Sequence, residues 1–351
     1  MSSSSKKIFF GFQKKTVFWS LYGILFTPIC FEIALRLIGA EPYIQKDYHI
    51  QSVPENPFLG HDSLALALSP GTYKITLNQQ HTFTATHTQK KLRDVSFLNS
   101  SNDSLPEIAV LGCSFTYGYG VNDNEHFTSL LQKKHQNFKF KNYGIIGYGT
   151  TQSYLQLKNI EQQKAFPKVV VLTFATDHFN RNVLANAYRR ALKIGFNRSL
   201  ESAKTTMKDS KYPYVSDKNL KINYQKWSEM YNDWKGRSEL SSVNWLQTTR
   251  DKIADNKLQK VELTFELIKK MQLICDTNNS VFLVSLLDEN DDSVALKKLL
   301  LENNINYLDI NFDFKNNKII NFPFDNHPNN LGHQLIATKM DKYIQNSIAN
   351  D

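Results

Sequence analysis

The chain has 351 residues, 41% of them hydrophobic and 12% aromatic, a composition that suits a globular protein with additions and excludes a disordered chain. Its formal charge of +9 is mostly local: residues 181–256 hold 15 Lys and Arg against 8 Asp and Glu, and with no helix-turn-helix or RNA-binding signature nucleic acid is excluded as the expected partner. Three widely spaced cysteines, Cys30, Cys113 and Cys275, support neither a disulfide framework nor a zinc site.

Residues 1–16 are polar and basic, with Lys6, Lys7, Lys14 and Lys15. Residues 17–31 then run without a charge, and Ile33, Ala34, Leu35, Leu37 and Ile38 extend the apolar pattern past Glu32 and Arg36. A stretch over 17–38 is long enough to span a bilayer. Glu32 and Arg36 stand four apart, where they can pair on one helix face near the far interface. The lysines precede the span, which predicts a cytoplasmic N-terminus and a periplasmic or extracellular remainder. The long apolar stretch, without a small-x-small site before residue 40, favours an uncleaved anchor over a signal peptide. A buried core helix is the plainer alternative.

Residues 39–105 carry Pro42, Pro54, Pro57 and Pro70 and read as a stalk and β-rich lead-in. Alternation over 72–77 and 82–86 predicts two strands, and 99–104 is a polar loop. From residue 106 strands are expected over 108–111, 138–143, 169–174, 281–286 and 306–310, with helices over 124–134, 151–163, 258–277 and 293–303. Strands alternating with helices imply a parallel sheet with right-handed crossovers. Residues 181–256 interrupt that order with nine aromatics. They read as a cap with a basic, aromatic wall for an acidic or glycan-like substrate. Trp227, Tyr231 and Trp234 recur at helical spacing, and the simpler account of those three is core packing on the sheet.

Two stretches carry the chemistry. Ile108–Leu111 leads through Gly112 and Cys113 to Ser114, at the carboxyl end of a strand, where open α/β sheets place their ligands. A serine there is a candidate nucleophile if a base activates it. Asp325 and His327 lie two apart in a Pro-flanked loop before a helix with apolar Leu335, Ile336, Met340, Tyr343 and Ile344. A carboxylate can accept from one imidazole nitrogen while the other faces a serine. Alternatively Asp325 and Asn329 are turn and cap residues for that helix. A metal site through Asp325, His327 and His333 has neither a nearby third cysteine nor a His-x-x-x-His helix behind it, so no metal is expected.

Together these stretches resemble the SGNH (GDSL-like) hydrolase and O-acyltransferase superfamily. Residues 111–121, Leu-Gly-Cys-Ser-Phe-Thr-Tyr-Gly-Tyr-Gly-Val, are similar to its first block, with Cys113 where Asp is usual. Residues 142–152, Asn-Tyr-Gly-Ile-Ile-Gly-Tyr-Gly-Thr-Thr-Gln, resemble the second, and Asp325-x-His327-Pro328-Asn329 the last. In the third block Thr176 stands where an Asn is usual. Leu92-Arg93-Asp94 resembles a lead-in found before the first block of membrane-anchored relatives. The resemblance spans about residues 83–182 and 281–343. It implies an α/β/α three-layer sandwich around a five-stranded parallel sheet in flavodoxin-like order, with the N-terminal helix and the 181–256 insertion added to a catalytic domain over 106–351.

The resemblance further implies Ser114 as nucleophile, His327 as general base and then acid, and Asp325 as the group that orients the imidazole. It assigns the oxyanion hole to the backbone N–H groups of Ser114 and Gly147 and to a third-block side chain, here Thr176 or Asn180. No cofactor or metal is implied. The expected activity is that of a membrane-anchored O-acyl esterase or O-acyltransferase acting on an acylated cell-envelope glycan or a small ester. A glycan-binding or assembly protein that keeps the fold, or a lipase- or thioesterase-like hydrolase, is the alternative.

Overall fold

A helix long and apolar enough to cross a membrane opens the described chain: α1 (Lys14–Leu37), whose stretch from Phe18 to Leu37 is almost wholly unburied. The computed structural model describes residues 14–45, 48–97, 105–163, 165–199 and 201–347. Most of the expected N-terminal tail and the polar loop over 99–104 lie outside them. By its contacts the chain forms two units, residues 1–47 with 232–254 and residues 48–231 with 255–351.

The larger unit begins with β1 (Ile50–Val53), β2 (Phe58–His61), β3 (Ala65–Leu68), β4 (Gly71–Leu77) and β5 (His81–His87). β4 and β5 form a hairpin with β1 on its edge, and β2 pairs with β3. Alternation does what it predicts: Tyr73, Ile75, Leu77, Phe83 and Ala85 face inward, while Thr72–Thr86 and Thr76–Thr82 pair on the outer face at 3.1 and 2.9 Å. The inward face packs on Tyr117, Tyr119 and Tyr148, so from Tyr48 on the lead-in shares a core with the α/β domain.

The α/β part follows as β6 (Glu107–Gly112), α2 (Ser114–Tyr117), α3 (Phe127–Lys134), β7 (Lys139–Asn142), α4 (Thr150–Glu161), β8 (Val169–Phe174) and α5 (Asp177–Asn182). After α6 (Asn186–Arg198), α7 (Glu201–Met207), β9 (Lys211–Val215), β10 (Ile222–Lys226) and α8 (Ser241–Asp255), it resumes with α9 (Lys260–Thr277), β11 (Val281–Leu286), α10 (Asp291–Glu302), β12 (Tyr307–Asp309) and α11 (Asn330–Ser347). Five strands pair in parallel in the order β12-β11-β8-β6-β7, the doubly wound order expected from the sequence. β8 shows why the apolar runs are continuous. Val169 and Val171 face the core with Phe127 and Ile336, while Val170, Leu172 and Phe174 face Leu157, Ile268 and Met271. Both faces are covered, and each such side chain contributes about 1.5–3 kcal/mol by leaving water.

The insertion divides between the two units. α6, α7 and the antiparallel β9–β10 hairpin belong to the larger unit, and residues 232–254 to the smaller. The helix implied by the spacing of Trp227, Tyr231 and Trp234 does not form. Trp227 opens a single 3-10 turn (Trp227–Glu229). Trp227 and Tyr231 are buried, but Trp234 is in the other unit and exposed. Trp227 is buried in the cluster that holds Leu192, Met207 and Tyr212, and Tyr231 packs under Arg190 of α6.

In the smaller unit Glu32 of α1 accepts from the backbone N–H groups of Ser241 and Ser242 at 3.0 and 2.7 Å and so caps α8. Arg36 donates to Glu32 at 2.6 Å, the i,i+4 pairing expected from the sequence, and to the carbonyl of Glu239 at 3.0 Å. Phe31 packs edge-on against Trp245.

Candidate active site

Ser114 is carried to the end of β6 by a turn that requires glycine. Gly112 has φ +155°, and a Cβ there would collide with the Thr116 hydroxyl and come within 2.9 Å of the Thr173 carbonyl oxygen. Ser114 is then the first residue of α2, 5% exposed, with a backbone N–H that has no acceptor within the helix. The site lies where the strand order reverses, between β6 and β8.

The lead-in holds the far end of α2. Arg93, fully buried, sits 4.8 Å over the Tyr117 ring, donates to Tyr117 Oη at 3.3 Å and to the carbonyls of Thr84 and Val121 at 3.1 Å, and pairs with Asp123 at 3.1 Å. His87 bridges the Ser69 carbonyl and Tyr117 Oη, each at 2.8 Å. A carbonyl only accepts, so Nδ1 carries the proton and Nε2 accepts from the tyrosine. Burial pushes this imidazole down to about 4, so it stays neutral at neutral pH.

His327 arrives on the loop before α11. Its carbonyl accepts from the Asn321 N–H at 2.8 Å, and Asn329 accepts from the Gly332 N–H at 3.1 Å, capping α11. His327 Nε2 lies 2.9 Å from Ser114 Oγ. Asp325 Oδ1 accepts the His327 backbone N–H at 2.8 Å, while Oδ2 lies 3.3 Å from Nδ1. That second contact lies off the hydrogen-bond direction, leaving Nδ1 without a directed bond, so it is an electrostatic contact. Tyr48 donates to the same Oδ2 at 3.4 Å. Burial works to raise the Asp325 carboxyl, but the contacts with His327 and Tyr48 outweigh it and hold it below the usual carboxylate range. Thus the turn role read for Asp325 and its place behind the imidazole coexist, and Asn329 is the cap.

Gly147 faces the same space. It has φ +73°, and its carbonyl accepts from Tyr188 Oη at 2.6 Å and Tyr212 Oη at 3.0 Å. Ser114, Gly147, Asp325 and His327 line one cavity of about 580 Å3, with Tyr48, Phe115, Tyr119, Asp177, Arg181 and Asp288 among its other walls. Phe115 and Tyr119 flank the imidazole at 5.2 and 4.9 Å between ring centres.

The expected third donor differs. Neither Thr176 nor Asn180 lines this cavity. The Thr176 hydroxyl donates to Asp288 Oδ2 at 2.6 Å, and its backbone N–H donates to Oδ1 at 2.8 Å. Asn180 accepts from Lys260 Nζ at 3.2 Å. Thr176 is committed to a carboxylate brought by the segment after β11, a partner 112 residues away that no local motif reveals. Burial raises the Asp288 carboxyl and the two Thr176 bonds only partly offset it. Arg181, the one permanent cation among the described cavity-lining residues, donates to the Tyr148 carbonyl and to Asp177, both at 2.9 Å. His333 is also apart: it is buried, stacks on Phe127, and its Nδ1 accepts from the Phe127 N–H. Sequence reasoning missed Tyr48, Tyr119, Arg181 and Asp288. Asp177 and Arg181, four apart just past the third block, were the signal within reach.

No family model and no curated protein matches the sequence. Among solved structures the chain is similar to a lipolytic protein of the G-D-S-L family from Veillonella parvula, at 12% identity and a TM-score of 0.37, covering 68% of this chain and 98% of that one. It is also similar to the esterase EstA from a Pseudoalteromonas species, at 12% identity and a TM-score of 0.38, covering 70% and 99%, and to a protein named TesA, at 10% identity and a TM-score of 0.40, covering 68% and 98%. Similarity this distant assigns no chemistry to the chain.

Proposed function

We propose that this chain is a serine-dependent O-acyl esterase or O-acyltransferase that works through an acyl-enzyme on ester-bearing glycans of the cell envelope. The observation that carries the reading is the 2.9 Å approach of His327 Nε2 to Ser114 Oγ, with the Asp325 carboxylate behind the ring. Ser114 Oγ attacks the ester carbonyl carbon and its proton passes to His327 Nε2. The negative charge on the carbonyl oxygen meets the N–H groups of Ser114 and Gly147 in the field of Arg181. The carbon–oxygen bond to the alcohol then breaks, and the alcohol leaves with the proton from His327. Water or a second hydroxyl attacks the acyl-Ser114 ester with the same proton shuttle, giving hydrolysis or transfer. Asp177, Asp288 and Asn326 on the cavity wall offer polar partners to a sugar and favour a neutral polyol over an anionic alcohol.

A fluorophosphonate probe tests the chemistry. It should label wild type and fail on Ser114→Ala, whose melting temperature should stay close to wild type. Folded wild type that resists the probe would favour a glycan-binding protein instead. The membrane reading rests on α1 and the lysines before it. Protease added to intact cells should spare an N-terminal tag and reach a C-terminal tag once any outer barrier is opened. A C-terminal tag in the cytosol would remove the envelope substrate.

A further inference from the structure

A second cavity, of about 340 Å3, shares Tyr48, Tyr119, Ile146 and Gly147 with the first. It is bounded by the β lead-in on one side and by α6, α7 and Trp227 on the other. Its walls include Leu66, Ile75, Leu192, Met207 and Trp227, all buried, and the one charged residue among its described lining is Arg198, which is exposed. The two cavities therefore divide by chemistry. The first holds the reacting atoms together with the charged groups Asp177, Arg181, Asp288 and Asp325; the second is walled mostly by apolar side chains and meets the first at Gly147.

We propose that the second cavity holds the acyl chain of the substrate, so that the ester turned over carries a straight alkyl group of several carbons and not an acetyl group alone. This rests on the serine-ester reading above and names its acyl half. When the carbonyl oxygen lies against the Gly147 N–H, the acyl substituent continues past Gly147, where both cavities share a wall. The sugar alcohol stays on the side of Asp177, Asp288 and Asn326. An apolar chain entering the cavity would exchange water for these walls, and each methylene buried would raise kcat/KM by about fourfold.

Gly195 gives the test. It lies on α6 and lines the cavity, and a Cβ there would meet no atom within 4 Å, so a larger side chain can be added without a collision at its base. Ala203 on α7 offers the same test from another wall. The full chain in lipid nanodiscs would be assayed with p-nitrophenyl acetate, butyrate, hexanoate and octanoate. The expected result is a kcat/KM that climbs along the series. In Gly195→Trp and Ala203→Phe the octanoate-to-acetate ratio should fall by roughly tenfold or more. A flat series in a protein whose Ser114 takes the probe would overturn the acyl-chain site and leave the esterase reading intact; so would a rising series that neither variant alters. If no ester is turned over and Ser114 resists the probe, the esterase reading falls. Octanoate binding by calorimetry then decides the cavity: binding to wild type lost in both variants keeps an apolar-chain site, and no binding removes it.

Discussion

Replacing Thr176 with Val separates a structural hydroxyl from a catalytic one. The substitution keeps the shape of the side chain and removes the O–H that donates to Asp288 Oδ2 at 2.6 Å; the backbone N–H donation to Oδ1 at 2.8 Å survives. A hydrogen bond to a charged group contributes about 1.5–3 kcal/mol. Asp288 is only half-buried, so the lower end, about 1.5 kcal/mol, is the appropriate figure. At the sensitivity of a large domain this is a melting temperature lower by about 3 °C at neutral pH. The sign with pH follows from Asp288. Burial, the larger effect, raises its carboxyl, and the Thr176 bonds pull it back toward the carboxylate form. Losing one bond costs stability only where Asp288 is ionised, so the deficit should shrink as pH falls through the carboxylate range and protonates it. The acylation rate should hardly change, because Thr176 does not line the cavity and its hydroxyl is taken up by Asp288. Differential scanning fluorimetry across pH and the rate of fluorophosphonate labelling measure the two effects. A labelling rate lower by about 10²- to 10³-fold with an unchanged melting temperature would be the signature of an oxyanion donor and would refute this account.

Two further substitutions probe the site. Asp325→Asn should slow ester turnover by roughly 10²- to 10⁴-fold by favouring the wrong imidazole tautomer. Because the folded Asp325 carboxyl is held low, its contribution to stability is present at neutral pH and lost as pH falls through and below the carboxylate range of about 4. Wild type should therefore lose more melting temperature on acidification than the variant, and parallel curves would contradict the contacts assigned to the Asp325 carboxylate. Gly147→Ala forces a side chain onto a backbone at φ +73° and puts its Cβ 3.1 Å from Tyr188 Oη. It should cost about 1–2 kcal/mol in urea unfolding and slow labelling by up to about 10²-fold, and wild-type labelling would remove Gly147 from the oxyanion site.

The centre of the sheet was legible because β6, β8 and β11 are buried on both faces and so are written as mostly apolar runs, as in Val169–Phe174. The hairpin of β4 and β5 was legible from alternation for the complementary reason. Ser114 and His327 could be paired from sequence because each sits in a short motif whose backbone demands are local. Gly112 allows the turn, and Asp325 closes a loop onto the His327 N–H. What could not be read depends on long-range contact. Whether Thr176 faces substrate is decided by Asp288, on another strand's end. The spacing of Trp227, Tyr231 and Trp234 matched a helix, yet a 3-10 turn and a change of unit intervene. The part played by Tyr48 and Trp227 in walling a second cavity has no signature in either residue's neighbours.

The cap that Glu32 places on α8 also fixes a length. Lys15 and Glu32 bound a charge-free run, residues 16–31, which as a helix at about 1.5 Å per residue is roughly 24 Å long. The hydrocarbon layer of an ordinary bilayer is about 30 Å thick. Glu32 cannot slide inward to make up the difference without pulling the Ser241 and Ser242 amides and the start of α8 into lipid with it. A single lysine stem can stretch toward water; a carboxylate tied to two backbone amides cannot. Placed across a membrane, this helix thins the bilayer around itself or resides where the bilayer is already thin, and its fixed end is the one capped onto α8.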